Sequence, residues 1–256
     1  MIGFRGYSPT KKVHPLTLSL LYNIGNNRII LEIYKLVENM DYKQARFNMI
    51  EQQVRTWEVL DQRVLDMLSL VHREDFIPTP FKKLALSDVN IPLAHNQVTM
   101  QPKVEARLIQ SLNVSNQDKI LEIGTGCAYL TAILAIFGKE VISIDIFPEF
   151  TTQAKIILEK NTIHNVKTIH GDGINGWSSM APYNVIVVTG SLPLSSSDIE
   201  KQLKIGGRLF VISGISPVME ATLITRISDT HWTRETLFET DLPALVGAKV
   251  SNKFIF

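Results

Sequence analysis

Short apolar runs and longer stretches with helical spacing alternate along the second half of the chain. Buried strands are predicted at 119–123, 140–146, 166–170, 184–189 and 207–212. Helices are predicted at 129–137, 149–161 and 197–204. This alternation predicts an α/β fold, with a doubly wound, mostly parallel sheet and helices on both faces. β-rich segments near 221–227, 232–239 and 250–256 follow without a helix between them, so antiparallel C-terminal strands are expected at the sheet edge.

The pattern before residue 113 is different. Apolar positions recur at helical spacing from Asp41 and again from Asp61, and a further helix is predicted at 103–112. Between these helices, the stretch 76–102 contains four prolines, Pro78, Pro80, Pro92 and Pro102. Because proline blocks a continuous helix, this stretch is predicted to be an irregular loop of the kind that often carries function.

These changes of pattern divide the chain into parts. We predict an N-terminal extension at 1–39 and a single domain at 40–256. Within the domain, 40–112 is expected to form an N-terminal helical cap with the irregular loop, and 113–256 the sheet. The chain has 256 residues and is 45% hydrophobic, which is enough to bury a full core.

The most specific chemical signal is the stretch Lys119-Ile-Leu-Glu-Ile-Gly-Thr-Gly-Cys-Ala-Tyr129. A strand, a glycine turn and a helix start in this order let the backbone approach a nucleotide-like ligand. The dinucleotide motif requires a third glycine where Tyr129 stands, and Glu122 would repel a pyrophosphate but attract a cation. Asp145 ends the next strand, where it can reach ribose hydroxyls. Together these features favour S-adenosylmethionine, which carries a sulfonium and a ribose but no phosphate; a turn that only reverses the chain is the alternative.

Charge and cysteine content narrow the possible partners. Lys and Arg number 26 against 25 Asp and Glu, without a long run of like charge, so the usual electrostatic signature of nucleic-acid or anionic-membrane binding is missing. The single cysteine, Cys127, cannot form an intramolecular disulfide, and no Cys/His cluster has zinc-ligand spacing. A cytoplasmic, metal-free protein is therefore expected.

From about residue 40 to residue 214 the chain resembles the protein-L-isoaspartate O-methyltransferases. The matching segments are Arg73-Glu-Asp-Phe-Ile-Pro78, Ile91-Pro92-Leu93, Asn96-Gln97 with Pro102, Leu121-Glu-Ile-Gly-Thr-Gly126 with Tyr129, Gly171-Asp-Gly173 and Gln202-Leu-Lys-Ile-Gly-Gly-Arg-Leu209. The glycine loop by itself indicates only the Rossmann-like methyltransferase fold. The Phe-Ile-Pro and Asn-Gln segments are specific to this family.

The resemblance implies a repair enzyme that uses S-adenosylmethionine to methylate the carboxylate of L-isoaspartyl residues in damaged proteins or peptides, and a monomer is expected. It implies a cofactor site formed by Glu122, Gly124, Thr125, Gly126, Tyr129, Asp145, Asp172 and Gly173. Glu122 is expected to orient the loop and the methionine amino end, Asp145 to bind the ribose hydroxyls and Asp172 the adenine amino group. The stretch 94–102, here called the acceptor-side segment, would bind the methyl acceptor through Gln97, Thr99 and Met100.

The departures from the family pattern lie mostly in the acceptor-side segment. Met100 stands where the family has a hydroxyl, and Thr99, one residue earlier, is a possible replacement for it. His95 is a candidate general base, although a surface or hydrogen-bonding histidine is favoured. Two other functions are therefore considered: a methyltransferase with a different small-molecule or protein acceptor, and a non-catalytic module that binds S-adenosylmethionine.

Overall fold

The computed structural model describes residues 41–194 and 196–249. The predicted extension at 1–39 and the predicted strand near 250–256 lie outside these residues, so both stay predictions. The chain divides into two units, Met1–Tyr42 and Lys43–Phe256, and the description below concerns the second. The first helix described below begins at Tyr42, one residue before the start of this second unit.

One seven-stranded sheet forms the centre of the domain. Its strands are β1 (Lys119–Ile123), β2 (Glu140–Asp145), β3 (Val166–His170), β4 (Tyr183–Leu192), β5 (Leu203–Ile215), β6 (Val218–Arg226) and β7 (Trp232–Thr240). They lie in the order β3-β2-β1-β4-β5-β6-β7. Strands β1 to β5 run parallel to one another, whereas β6 pairs antiparallel with both β5 and β7. The predicted doubly wound sheet with antiparallel C-terminal strands is confirmed.

The helices of the sheet domain are α4 (Tyr129–Phe137), α5 (Pro148–Lys160) and α6 (Ser197–Glu200). The first two agree with the predicted helices within one residue. The prediction of a helix at 197–204 is wrong in its second half, because Leu203 already begins β5 and pairs with Tyr183 of β4. Sheet pairing has overridden the local helical pattern there.

Between residue 41 and the sheet lie three longer helices, α1 (Tyr42–Met49), α2 (Gln62–Leu70) and α3 (Pro102–Leu112). A π-helical turn, Ile50–Val54, continues α1. Asp61 begins α2 as predicted, since its side chain accepts a hydrogen bond from the Arg63 backbone N–H. Trp57 packs edge-on against Phe238 of β7, with ring centroids 5.2 Å apart, so the cap contacts the sheet.

The strand order places a switch point at β1. Its two neighbours are β2 on one side and β4 on the other, and the connections to them run in opposite directions. In open parallel sheets the ligand crevice lies at the carboxyl ends of the strands at such a point. The sheet therefore directs a ligand to the ends of β1, β2 and β4.

No helix in the described ranges is both long and apolar enough to cross a membrane.

Candidate functional site

An open cleft lies at this switch point; we call it the cofactor cleft. Its volume is about 680 Å³, including space open to solvent. Six of the predicted site residues line it: Gln97, Gly124, Gly126, Asp145, Asp172 and Gly173. Asp145 and Asp172 are its two charged residues, and no Lys, Arg or His from the described part of the chain lines it. The electrostatics of the lining thus favour a cationic ligand over a phosphate.

The turn after β1 depends on Gly124. Its φ of +99° is strained for any other residue, and a side chain there would collide with the Thr189 hydroxyl. That hydroxyl cannot easily move, because it is hydrogen-bonded to the carbonyls of Ile123 at 3.0 Å and Gly124 at 2.7 Å. The sequence pattern singled out the glycine but gave no signal for Thr189, which lies 65 residues further along the chain.

Asp145 lies at the end of β2, facing the glycine turn. One carboxylate oxygen accepts a hydrogen bond from the Gly126 N–H at 3.0 Å, and the other accepts one from the Phe147 N–H at 2.9 Å. Burial raises the pKa of this carboxyl, against the opposing effect of these backbone donors. Each oxygen can still accept a further bond, so the carboxylate can bind hydroxyls while it holds the turn in place.

Asp172 and Gly173 follow β3, the strand next to β2, and line the cleft on that side of Asp145. The Asp172 carboxylate accepts a hydrogen bond from the Ile174 N–H at 2.9 Å, which fixes the turn, and the residue is exposed. Gly173 is buried, and a side chain there would come within 2.9 Å of the Ile123 side chain. The two residues are therefore placed where a ligand bound over Asp145 can extend towards β3.

Glu122 does not line the cofactor cleft. It is fully buried, and one of its oxygens accepts hydrogen bonds from the Thr131 and Ser143 hydroxyls, both at 2.6 Å. The other oxygen has no hydrogen-bond partner among the described residues. Burial raises the pKa of this carboxyl to about 8. Glu122 thus joins β1 to α4 and β2. It lies outside the cleft lining, whereas the sequence predicted that it contacts the methionine end of the cofactor.

A second, smaller cavity of about 340 Å³, again including space open to solvent, adjoins the cleft; we call it the side cavity. The remaining predicted residues line it: Thr99, Met100, Glu122, Thr125 and Tyr129. Gly124 and Gly126 line both spaces. Of the residues predicted to bind the cofactor, Glu122, Thr125 and Tyr129 are therefore grouped with the acceptor-side residues, on the inner side of the glycine loop.

Tyr129 and Thr125 are buried supports of that loop. The Tyr129 ring packs edge-on against Phe76, with centroids 5.7 Å apart, and burial raises the pKa of its hydroxyl. The Thr125 hydroxyl is hydrogen-bonded to that of Ser143 at 2.7 Å. Both side chains hold the start of α4 against its neighbours. This role is structural, whereas the sequence predicted that both residues contact the cofactor.

The acceptor-side segment is tied to the protein through Thr99. The Thr99 hydroxyl accepts hydrogen bonds from the Ile91 N–H at 3.1 Å and from Arg73 Nη2 at 3.2 Å. Met100 is also buried, and its carbonyl accepts a 2.7 Å bond from the same Nη2 atom. Thr99 therefore has a structural role that is independent of any contact with a methyl acceptor.

This role predicts the effect of removing the hydroxyl. Thr99→Val should lower the free energy of unfolding by about 1–3 kcal/mol, because two buried donors lose their acceptor. Thr99→Ser, which keeps the hydroxyl, is the matched control and should lose less. Urea denaturation of both variants measures the difference, and equal stability of Thr99→Val and the unmodified protein would contradict the assignment.

Gln97 lines the cleft, and His95 lies behind Phe147, another lining residue. The Gln97 side-chain amide donates to the His95 carbonyl at 2.9 Å. The His95 ring stacks on Phe147, with centroids 4.1 Å apart, and its Nε2 atom lies 3.3 Å from a Glu149 carboxylate oxygen. This placement agrees with a surface, hydrogen-bonding histidine and gives no support to a general base.

One wall of the cofactor cleft comes from a segment that the sequence did not single out. Residues 242–246 line the cleft beside the end of β4. The Ser191 N–H donates to the Pro243 carbonyl at 2.9 Å, and the Leu245 N–H donates to the Ser191 carbonyl at 3.0 Å. A short apolar stretch after β7 carries no pattern that predicts this position.

A doubly wound sheet of this order, with a glycine turn after β1 and an acid at the end of β2 facing a cleft whose described lining contains no basic residue, is that of a Rossmann-like methyltransferase. The comparison with known proteins identifies the family. The family model for protein-L-isoaspartate(D-aspartate) O-methyltransferase matches residues 44–242. The chain belongs to this family.

Relatives agree with this assignment, and a solved structure agrees with the fold. The chain is 35% identical over 202 residues to a protein-L-isoaspartate O-methyltransferase of Protochlamydia amoebophila, covering 78% of this chain and 95% of that one. A relative from Syntrophus aciditrophicus is 32% identical, with coverages of 73% and 86%. A Plasmodium falciparum structure described as an enzyme of this family, in complex with S-adenosyl-L-homocysteine, aligns with a TM-score of 0.67 at 17% identity over 80% of this chain and 97% of that one.

Proposed function

We propose that this protein transfers a methyl group from S-adenosylmethionine to the carboxylate of L-isoaspartyl residues in damaged proteins. The observation that carries the proposal is the family match, which spans the glycine loop, the strand-end acids and the acceptor-side segment together. The cofactor cleft supports it independently, because its two charged lining residues are both acidic. The alternatives of a different acceptor or a non-catalytic module have no comparable support.

The residues of the cleft fit the cofactor. Asp145 would bind the ribose hydroxyls, Asp172 would accept from the adenine amino group, and the backbone at Gly124 and Gly126 would lie against the methionine portion. When bound, S-adenosylmethionine supplies an activated methyl group on a sulfonium. The acidic lining stabilises that positive charge and would repel a pyrophosphate.

The chemistry on the acceptor side requires little of the protein beyond positioning. An isoaspartyl carboxylate is already ionised at neutral pH, so its attack requires no strong base. The protein must hold the carboxylate in line with the bond that breaks and exclude water. The side cavity supports this arrangement, since it shares Gly124 and Gly126 with the cleft and is otherwise lined largely by buried side chains.

A pair of peptides tests the proposal. We expect methyl transfer to a peptide with one isoaspartyl residue, and little or none to the same peptide with aspartate. Formation of S-adenosylhomocysteine, followed by mass spectrometry of the peptide, measures both. Cofactor binding without transfer to either peptide would contradict the proposed function and favour the non-catalytic module.

Three further properties belong to the same proposal. The natural substrates would be proteins or peptides that carry isoaspartyl residues, and the protein would act as a monomer in the cytoplasm. The near balance of 26 basic and 25 acidic residues supports a partner other than nucleic acid. Light scattering at micromolar concentration tests the monomer, and a dimer would contradict that part alone.

A further inference from the structure

Arg73 is buried at the centre of the acceptor side. Its side chain has no exposed surface, and it lies in the short 3₁₀ turn Arg73–Asp75 after α2. Nη1 donates to the Ala85 carbonyl at 2.7 Å, and Nη2 donates to the Met100 carbonyl at 2.7 Å and the Thr99 hydroxyl at 3.2 Å. Nε donates to Glu105 of α3 at 3.1 Å. A single guanidinium thus joins its own turn to three other parts of the chain.

The same guanidinium also contacts the glycine-loop side of the protein. Its central carbon lies 5.4 Å from the centroid of the Tyr129 ring, in the first turn of α4. Cation–π contacts of this length are attractive when they are shielded from water. Arg73 therefore has the acceptor-side segment as one neighbour and the helix that follows the cofactor turn as another.

A second buried ion pair offers a comparison. Arg46 of α1 pairs with Glu74, the residue next to Arg73, and the two side chains are 9% and 7% exposed. Among the described residues, no hydrogen bond runs from Arg46 to the acceptor-side segment. The two pairs are thus alike in chemistry and burial, but only the pair of Arg73 and Glu105 is connected to Thr99 and Met100.

We propose that Arg73 is a positioning residue, which sets the acceptor-side segment at the correct distance from the glycine loop for methyl transfer. The inference rests on the proposed function. Nη2 holds the Thr99 hydroxyl and the Met100 carbonyl together, while Nη1 and Nε of the same rigid fork are bound to Ala85 and Glu105. The compact ammonium of lysine cannot make all four of these bonds. Because a displacement of about 1 Å can lower turnover roughly a hundredfold, the effect of losing this fork should be kinetic as well as structural.

Paired lysine substitutions test the inference. Arg73→Lys should lower kcat/KM for the isoaspartyl peptide about ten- to a hundredfold, while the Kd for S-adenosylhomocysteine changes less than about twofold. Arg46→Lys, the matched control, should keep kcat/KM close to that of the unmodified protein. Hydrogen exchange gives a readout apart from activity: Arg73→Lys should speed exchange in residues 91–101 and leave residues 119–123 unchanged.

A double substitution separates positioning from folding. Replacing a buried ion pair with apolar residues is often neutral or stabilising, so Arg73→Met with Glu105→Met should fold even if Arg73→Lys does not. This double variant should have the same low kcat/KM, whereas Arg46→Met with Glu74→Met should not. Normal kcat/KM in a folded Arg73 variant, or failure of every Arg73 variant to fold, would overturn the inference. Absence of turnover in the unmodified protein would instead overturn the proposed function, and this assignment with it.

Discussion

Asp145→Ala is expected to weaken the binding of S-adenosylhomocysteine about ten- to a hundredfold. A hydrogen bond to a charged group contributes about 1.5–3 kcal/mol, and each 1.4 kcal/mol is about a tenfold change in Kd. The substitution also removes the acceptor for the Gly126 and Phe147 N–H groups, so the cofactor turn loses its anchor. Isothermal titration calorimetry at pH 7.5 measures the change, and S-adenosylhomocysteine is used because it does not react.

The control for this experiment is Asp66→Ala, which removes an exposed aspartate from α2, away from the cleft lining. Its Kd should match that of the unmodified protein. The raised pKa of Asp145 adds a second readout, because a protonated carboxyl accepts less well. Binding should therefore weaken as the pH falls, and from a higher pH than an ordinary aspartate would cause. An unchanged Kd in Asp145→Ala would remove this residue from the cofactor site.

The second large effect concerns the pH dependence of stability, and it arises from Glu122. The pKa of Glu122 is about 8 in the folded protein, against an ordinary value of 4.5. Between these values the folded protein holds a proton that the unfolded chain has released, so stability falls as the pH rises through this window. The contribution lost between pH 5 and pH 8 is on the order of 4 kcal/mol.

Glu122→Gln should abolish this part of the dependence. Glutamine is neutral at every pH, and its carbonyl can accept the same hydrogen bonds from Thr131 and Ser143. Relative to the unmodified protein, the variant should become more stable as the pH rises from 5 to 8. Other titrating groups cancel in the difference between the two proteins. Urea denaturation at several pH values measures it, and parallel stability curves would show that Glu122 is ionised in the folded state at neutral pH.

The local sequence pattern was sufficient to predict much of the fold and the place of Asp145 in the cofactor cleft. The predicted strands at 119–123 and 166–170 and the helix at 129–137 agree with the structure residue for residue. They could be predicted because each has a clear period and is bounded by glycine or polar residues. Asp145 could be placed in the cleft because the ends of parallel strands meet at one edge of the sheet.

The acceptor side could not be predicted in the same way. Thr99 was considered as a replacement for the hydroxyl missing at Met100, but its position depends on Arg73, which lies 26 residues earlier. The wall at 242–246 depends on Ser191, more than 50 residues away. Hydrogen bonds between distant segments leave no periodic signal in the sequence, so these contacts became visible only in the folded protein.

Glu122 and Asp145 show most clearly what the sequence determines and what only the tertiary structure decides. The sequence presents both as acids near the end of a strand. The sequence by itself determined the two strands, the glycine turn and the family. The tertiary structure decided where each carboxylate lies, because the register pairs Glu122 with Ser143, two residues before Asp145. At about 3.3 Å per residue, this places Glu122 roughly 6–7 Å further into the sheet. One acid therefore faces the cofactor cleft, and the other is enclosed by Thr131 and Ser143 in the core.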